Sequence, residues 1–170
     1  MKNNNFIPKL LLILFISLSI FSNCSPTKNT SAYKNDLSAS AIKNMVDSRH
    51  FIFVAESVNP VGGRFRNLTS RYDVIVSADS LITYLPYFGR AYTAPINPDE
   101  GGIRFTSTNF SYVVTHNKSD KWDIVIKPKD GQGVQQLNFA IFENGSASLN
   151  VTSNSRTPIS FNGHLQNNIK

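Results

Sequence analysis

KWDIVIKPKDGQGVQQLNFAIFENGSASLNVTS, residues 121–153, decides the fold. Trp122, Ile124 and Ile126 alternate with Lys121, Asp123, Val125 and Lys127, and Leu137, Phe139 and Ile141 repeat the pattern. Ala147, Leu149 and Val151 repeat it again. Side chains two residues apart share one face of a strand, so this period builds three strands, each with an apolar face. The links are short. Pro128-Lys129-Asp130-Gly131 is a turn cluster, and Asn144-Gly145 supplies positive φ at both centres of a tight hairpin. Links of that length force antiparallel neighbours.

The same reading extends both ways. Phe110, Tyr112 and Val114 alternate with Ser111, Val113 and Thr115, and Asn117-Lys118-Ser119-Asp120 turns the chain into the next strand. Ile159 and Phe161 close the series, so residues 103–162 are expected to form an up-and-down meander. Upstream, Tyr72, Val74 and Val76 alternate with Asp73, Ile75 and Ser77. Phe51-Ile52-Phe53-Val54-Ala55 is apolar on both faces, which places it between a helix and the core or in a barrel wall. Ser38 or Ser40 can cap a short helix carrying Ile42, Met45 and Val46 on one face and ending near Asp47-Ser48. With two or three strands ahead of the meander the sheet reaches seven or eight, and a twisted sheet of that size curls shut. The expected fold is therefore mainly β: a lipocalin-like barrel or strongly curved half-barrel with one short N-terminal helix. An open α+β sheet is the alternative.

The N-terminus sets an expected compartment. Lys2 and Lys9 precede an apolar run, residues 10–21, that is too short for a confident span but apt for a secretory signal. The only cysteine, Cys24, follows it, so no intrachain disulfide can form. A lone cysteine there resembles the lipidation site of a bacterial lipoprotein, although Asn23 stands where such signals carry a small residue. The alternative is an ordinary signal peptide with an incidental thiol. The domain plan is a signal peptide over 1–23, a polar tether over 24–36 and a single β-rich domain over 37–170. Ser25 after the cysteine, with no acidic cluster behind it, resembles sorting to the outer membrane on its periplasmic side.

Charge excludes one class of partner. The chain carries +6, and loss of Lys2 and Lys9 leaves a mild, scattered +4, so nucleic acid is a poor partner. Catalytic spacing is missing. His50, His116 and His164 have no second histidine or cysteine at ligand distance, so no metal or cofactor is expected. No G-x-S-x-G elbow or phosphate loop occurs. Asp99-Glu100 read as solvated charge; Glu56 and Asp73 could join a carboxylate pair only across the fold. Arg64, Arg66 and Arg71, interleaved with Phe65 and Leu68, form a basic loop for anionic headgroups or glycans, or else a solvated hairpin whose Phe65 plugs the barrel end. Asp79-Ser80-Leu81 is similar to an O-glycosylation triplet, with Ser80 as acceptor.

The remaining unusual stretch is LITYLPYFGRAYTAPINPDEGG, residues 81–102, whose loop is rich in aromatic residues. Pro86 holds Leu85 extended and Gly89 permits a bend. Leu85 and Phe88 are expected to close one end of the core, with Tyr84, Tyr87 and Tyr92 on the rim and Arg90 paired with a carboxylate. In the functional reading Tyr84, Tyr87, Phe88, Arg90 and Tyr92 bind a glycan, lipid or peptide of the envelope.

Val46-Asp47-Ser48, residues 51–55, Leu85-Pro86-Tyr87-Phe88-Gly89-Arg90-Ala91, Gly102-Ile103-Arg104-Phe105 and Trp122-Asp123-Ile124-Val125-Ile126 resemble a family of Bacteroidetes envelope lipoproteins. The family is filed as domain of unknown function 4251. The likeness runs from about residue 40 to residue 165. It implies a barrel-like β fold and an envelope location, and no activity. The expected function is a non-catalytic, lipid-anchored binding module. The alternatives are an interaction protein docking on another envelope component, or a hydrolase assembled across the fold.

Overall fold

Ser38 starts the first element among the described residues. Its side chain accepts from the Ala41 N–H, and helix α1 then runs Ala39–Ser48. Arg49, in the left-handed region at φ 54°, ends it by donating its N–H to the last carbonyls. Ile42, Met45 and Val46 are buried, while Lys43 and Asp47 pair one turn apart on the exposed face. The computed structural model describes residues 37–92, 101–117, 120–130 and 133–167. All of these belong to one compact unit, Asn35–Lys170.

Nine strands follow among the described residues: β1 Phe51–Pro60, β2 Arg66–Val76, β3 Leu81–Leu85, β4 Ile103–Ser107, β5 Phe110–Asn117, β6 Lys121–Pro128, β7 Val134–Phe142, β8 Ser146–Ser153 and β9 Ile159–Gln166. They form one antiparallel sheet in the order β4-β3-β2-β1-β9-β8-β7-β6-β5. Chain neighbours pair throughout, and β1 pairs with β9, so the two halves of the chain join at the first and last strands. The exception is the link from β4 to β5, the two edges of the sheet.

That exception settles the architecture. Alternating directions along the sheet make β4 and β5 run the same way, yet only Thr108 and Asn109 separate them. Two residues cannot cross back to start a parallel neighbour, which takes a dozen or more. β4 and β5 are therefore two halves of one bent strand. The first half pairs with β3 and the second with β6. Counted this way the wall has eight positions, which an antiparallel ring can close. Following partners one way from Val54 leads through Asp73 and Tyr84 to Arg104. Following them the other way from Ala55 leads through Gly163, Ala147, Ile141 and Trp122 to His116. The two ends lie on that one bent strand, about a dozen residues apart, which is the stagger of tilted barrel strands. The sheet is a nearly closed, barrel-like wall, and the described residues adopt the expected mainly β fold with one short helix. The meander differs from expectation only at Thr108-Asn109, where a bend stands in place of a hairpin.

Inside the wall sit Phe51, Phe53, Ile124, Phe139, Leu149, Phe161 and their neighbours, with Phe139 edge-on to Phe51 at 5.9 Å and to Phe53 at 5.6 Å. Helix α1 covers the end where β1 begins. Tyr112 on β5 donates its hydroxyl to the Val46 carbonyl at 3.0 Å, and burial pushes this phenol well above its ordinary value. Ile52 and Val54 remain half-buried on the outer side of β1, so the helix covers an end of the barrel and not that face.

One stretch of wall is missing. Lys129 N–H donates to Asn109 O at 2.8 Å, one step beyond the Phe110–Pro128 pair. β6 ends there, at a proline with no N–H to offer, and the chain turns into β7. Nothing among the described residues pairs with the far edge of β4.

Candidate functional site

The end of the barrel opposite the helix is shaped by residues 85–92. Leu85 is buried at the end of β3, and Pro86 leads out of it. Tyr87 then turns its hydroxyl between its own loop and the β8–β9 connection, donating to Arg90 O at 2.8 Å or Thr157 O at 3.1 Å and meeting Thr157 Oγ1 at 2.9 Å. Around it the Thr157 N–H donates to Arg90 O at 3.0 Å, the Arg90 N–H donates to Thr157 Oγ1 at 3.2 Å, and Ala91 forms a bridge with Arg156. Gly89 belongs to the same knot. A Cβ there would land on Tyr87 Oη and within 2.7 Å of Thr157 Oγ1. The chain bends at Gly89 as expected, without a positive φ, and the glycine is needed there for close approach.

Between this knot and the open edge of β4 lies a cleft of about 640 Å³. Ile103 and Phe105 of β4, Val134 of β7, Val151 of β8 and Ile159 of β9 supply its apolar lining. Ser153, Ser155, Thr157, Arg104 and Arg156 supply its polar rim. Arg156 donates Nη1 to Gly102 O at 2.8 Å and to Gly101 O at 3.2 Å, and its guanidinium lies 5.0 Å over the Tyr87 ring. Arg104 lies 4.5 Å over the ring of Tyr84, its cross-strand partner, and donates Nη2 to the Tyr84 hydroxyl at 3.3 Å. The size falls within the range of small-molecule pockets, and an apolar floor with a few polar groups is their usual chemistry.

The residues singled out in the aromatic loop are not all gathered here. Tyr87 lines the cleft; Tyr84, Phe88, Arg90 and Tyr92 do not. Tyr84 lies on the outer face, stacked on Tyr72 at 5.6 Å. Phe88, expected to close the core, is 42% exposed and sits 5.0 Å under Arg66. Tyr92 is 67% exposed and is held by its backbone to Ser155. Arg90 is exposed, with its backbone engaged by Thr157. The basic loop is likewise dispersed: Arg64 stands on the β1–β2 connection, Arg66 opens β2, and Arg71 binds Asp73 at 3.0 Å and Gln166 at 3.2 Å. Phe65 is 59% exposed and plugs nothing. Ser80 is half-buried in the β2–β3 turn, its carbonyl accepting from Ser77. Asp99, Glu100 and Cys24 lie outside the described residues.

Two arginines were missed. Arg104 reads as one exposed position of an alternating strand, and Arg156 as one cation in the polar turn Ser153-Asn154-Ser155-Arg156-Thr157-Pro158. Only the pairing of β4 against β3, with β6 ending early, brings them to one mouth. At the helix end a second, shallower groove of about 460 Å³ holds Asp47, His116 and Glu143, with His116 tilted on Trp122 at 5.3 Å. His164, on the outer wall, meets Glu56 at 2.8 Å.

A barrel of antiparallel strands, plugged at one end by a helix and opened beside a bent strand at the other, is the class of protein this geometry defines. The family described as "Domain of unknown function (DUF4251)" matches residues 33–165, and the chain belongs to it. A crystal structure of a DUF4251 family protein from Bacteroides eggerthii DSM 20697 is similar in fold, with TM-score 0.55 and 15% identity over 76% of this chain and 87% of that one. No curated protein matches.

Proposed function

We propose that the protein is a non-catalytic binding module of the bacterial cell envelope, anchored through a lipidated Cys24 on the periplasmic side of the outer membrane. Residues 24–36 act as tether and the barrel as the binding body. The observation that carries the reading is the opening beside β4, which leaves the inward-facing Ile103, Phe105, Val134, Val151 and Ile159 lining a cleft instead of a sealed core. Apolar lining beneath a polar rim suits a ligand with both characters. Tyr87, locked by Thr157 and Gly89, fixes the edge of that cleft; the exposed Tyr84, Phe88, Arg90 and Tyr92 form an outer rim for a glycan, peptide or lipid.

The test is capture. The full chain, extracted gently from its membrane, is expected to carry a small molecule detectable by native mass spectrometry. Val134→Trp, which fills the cleft, is expected to lose that molecule while keeping its fold. A chain that comes out empty, or a variant that retains the molecule, contradicts the reading. A docking role is favoured by one feature, the far edge of β4, unpaired among the described residues, which could accept a strand from another envelope protein. In that case crosslinking of the full chain would recover a protein partner through residues 103–107.

A further inference from the structure

Two connections at the barrel end away from the helix hold much of the exposed apolar surface. Of the nine large hydrophobic side chains exposed among the described residues, Val61, Phe65, Phe88 and Tyr92 stand on residues 61–65 and 86–92. The first connection is built to present its tip. Gly63 N–H donates to Pro60 O at 3.1 Å, and Gly62 has φ 73°, the positive value that the third residue of a type II turn takes. Val61 is thereby held out into solvent at 64% exposure. The second connection is pinned by Tyr87 on Thr157, so Phe88 and Tyr92 are exposed on a fixed segment. The two meet where the Arg66 guanidinium lies over the Phe88 ring.

Cations are interleaved with these side chains. Arg71 turns away to Asp73, but Arg64, Arg66 and Arg90 are exposed, and no carboxylate pairs with them among the described residues. Counting Asp99 and Glu100, which lie outside the described residues, 61–66 and 86–102 still hold three arginines against two carboxylates.

We propose that this end of the barrel seats on an anionic bilayer surface, with Val61, Phe65, Phe88 and Tyr92 dipping into the interface and the three arginines against lipid phosphates. Aromatic side chains favour the headgroup level, where a ring is buried while a polar tip stays wet. An arginine near a negatively charged leaflet gains from its field, and its planar N–H groups match a phosphate. The attachment permits the pose. The thirteen residues 24–36 reach at most about 45 Å when extended, more than the roughly 33 Å of a ten-residue strand such as β1. An anchor joined at the helix end therefore leaves the opposite end free to face the lipid. The assignment rests on the anchored-module reading and names the occupant of its outer rim; the ligand of the cleft is a separate matter.

The experiment is tryptophan quenching by brominated acyl chains. The full chain is reconstituted in phosphatidylcholine vesicles with or without phosphatidylglycerol, and co-flotation confirms attachment. Phe65→Trp reports the proposed face, and Phe142→Trp, exposed on β7 near the helix end, reports the other; the buried Trp122 is common to both. The expected result is quenching several-fold stronger for Phe65→Trp than for Phe142→Trp, rising with phosphatidylglycerol and falling with salt. Arg64→Gln and Arg90→Gln should each lower the ratio of docked to free barrel about fivefold. If Phe65→Trp fails to fold, Tyr92→Trp gives the same reading. Equal quenching with and without phosphatidylglycerol overturns the role of the arginines. Stronger quenching of Phe142→Trp, or of neither variant in a chain that floats with the vesicles, overturns the inference and leaves the anchored binding module standing. A chain that does not float overturns that reading as well.

Discussion

Tyr87 and Gly89 act as a pair. The hydroxyl has three oxygen neighbours on the β3–β4 and β8–β9 connections, and it reaches them only because Gly89 has no side chain. Tyr87→Phe is expected to cost about 1 kcal/mol, the loss of partly buried hydrogen bonds. Gly89→Ala should cost about 1–3 kcal/mol through overpacking. The double variant should cost less than the sum, since removing the hydroxyl relieves part of the clash. Urea unfolding of the three variants measures this, and strict additivity would show that the two residues act separately. Thr83 is the opposite case. Its hydroxyl is buried on the inner face of β3 with no hydrogen-bond partner among the described residues. Thr83→Val should therefore raise stability by about 1 kcal/mol, seen as a higher Tm. A lower Tm would mean that the hydroxyl has found a partner. Tyr112 sets a pH limit. Burial raises its folded pKa above the unfolded value of about 10, so its contribution is complete below that pH and is lost as pH climbs toward the folded value. Stability should fall above pH ~10, and Tyr112→Phe should flatten that fall while losing the bond to Val46. These residue-level roles were only partly legible. The LPYFGRA stretch announces itself by its aromatics, but the partner of Tyr87 is Thr157, seventy residues away, and no local pattern connects them.

At the scale of elements, alternation was readable because each strand buries one face: Trp122, Ile124 and Ile126 are buried, as are Leu137, Phe139 and Ile141. The helix was readable from its cap and from Ile42, Met45 and Val46. The bend at Thr108-Asn109 was not, because two polar residues between apolar runs have the same composition whether the chain reverses or continues. What separates the cases is register across the whole ring, and no local window contains it. Glu56 is a further irregularity, since the pairing of β1 with both neighbours slips between Ala55 and Ser57. Gly163 faces that slip, and a Cβ on it would strike the Val54 carbonyl oxygen and lie 2.9 Å from the carbonyl carbon. Strand glycines often mark such close backbone approach. Gly163→Ala is expected to lower stability by about 2–3 kcal/mol or to prevent folding, read by circular dichroism and chemical unfolding. A neutral result would mean that β1 and β9 do not approach closely at Gly163.

For the whole molecule, closure and opening have the same cause. An eight-position ring can seal only if every strand runs its full length, and β6 stops at Pro128 beside a half-strand that needs it. The apolar lining thereby becomes a cleft, and two arginines far apart in sequence become its rim. The barrel was legible from strand number and short links; the cleft depends on where one strand ends. Anchoring belongs to this scale too. A clickable fatty acid fed to cells making the full chain should label it, with loss of label in Cys24→Ala, whereas an unlabelled chain would remove the anchor. The account stands or falls on the gap beside β4, and residue-resolved amide exchange of the full chain by NMR reads that gap directly. Alternate amides from Ile103 to Ser107, those bonded to β3, should exchange slower than their neighbours by on the order of a hundredfold. All five amides equally slow would show a sealed edge with no cleft.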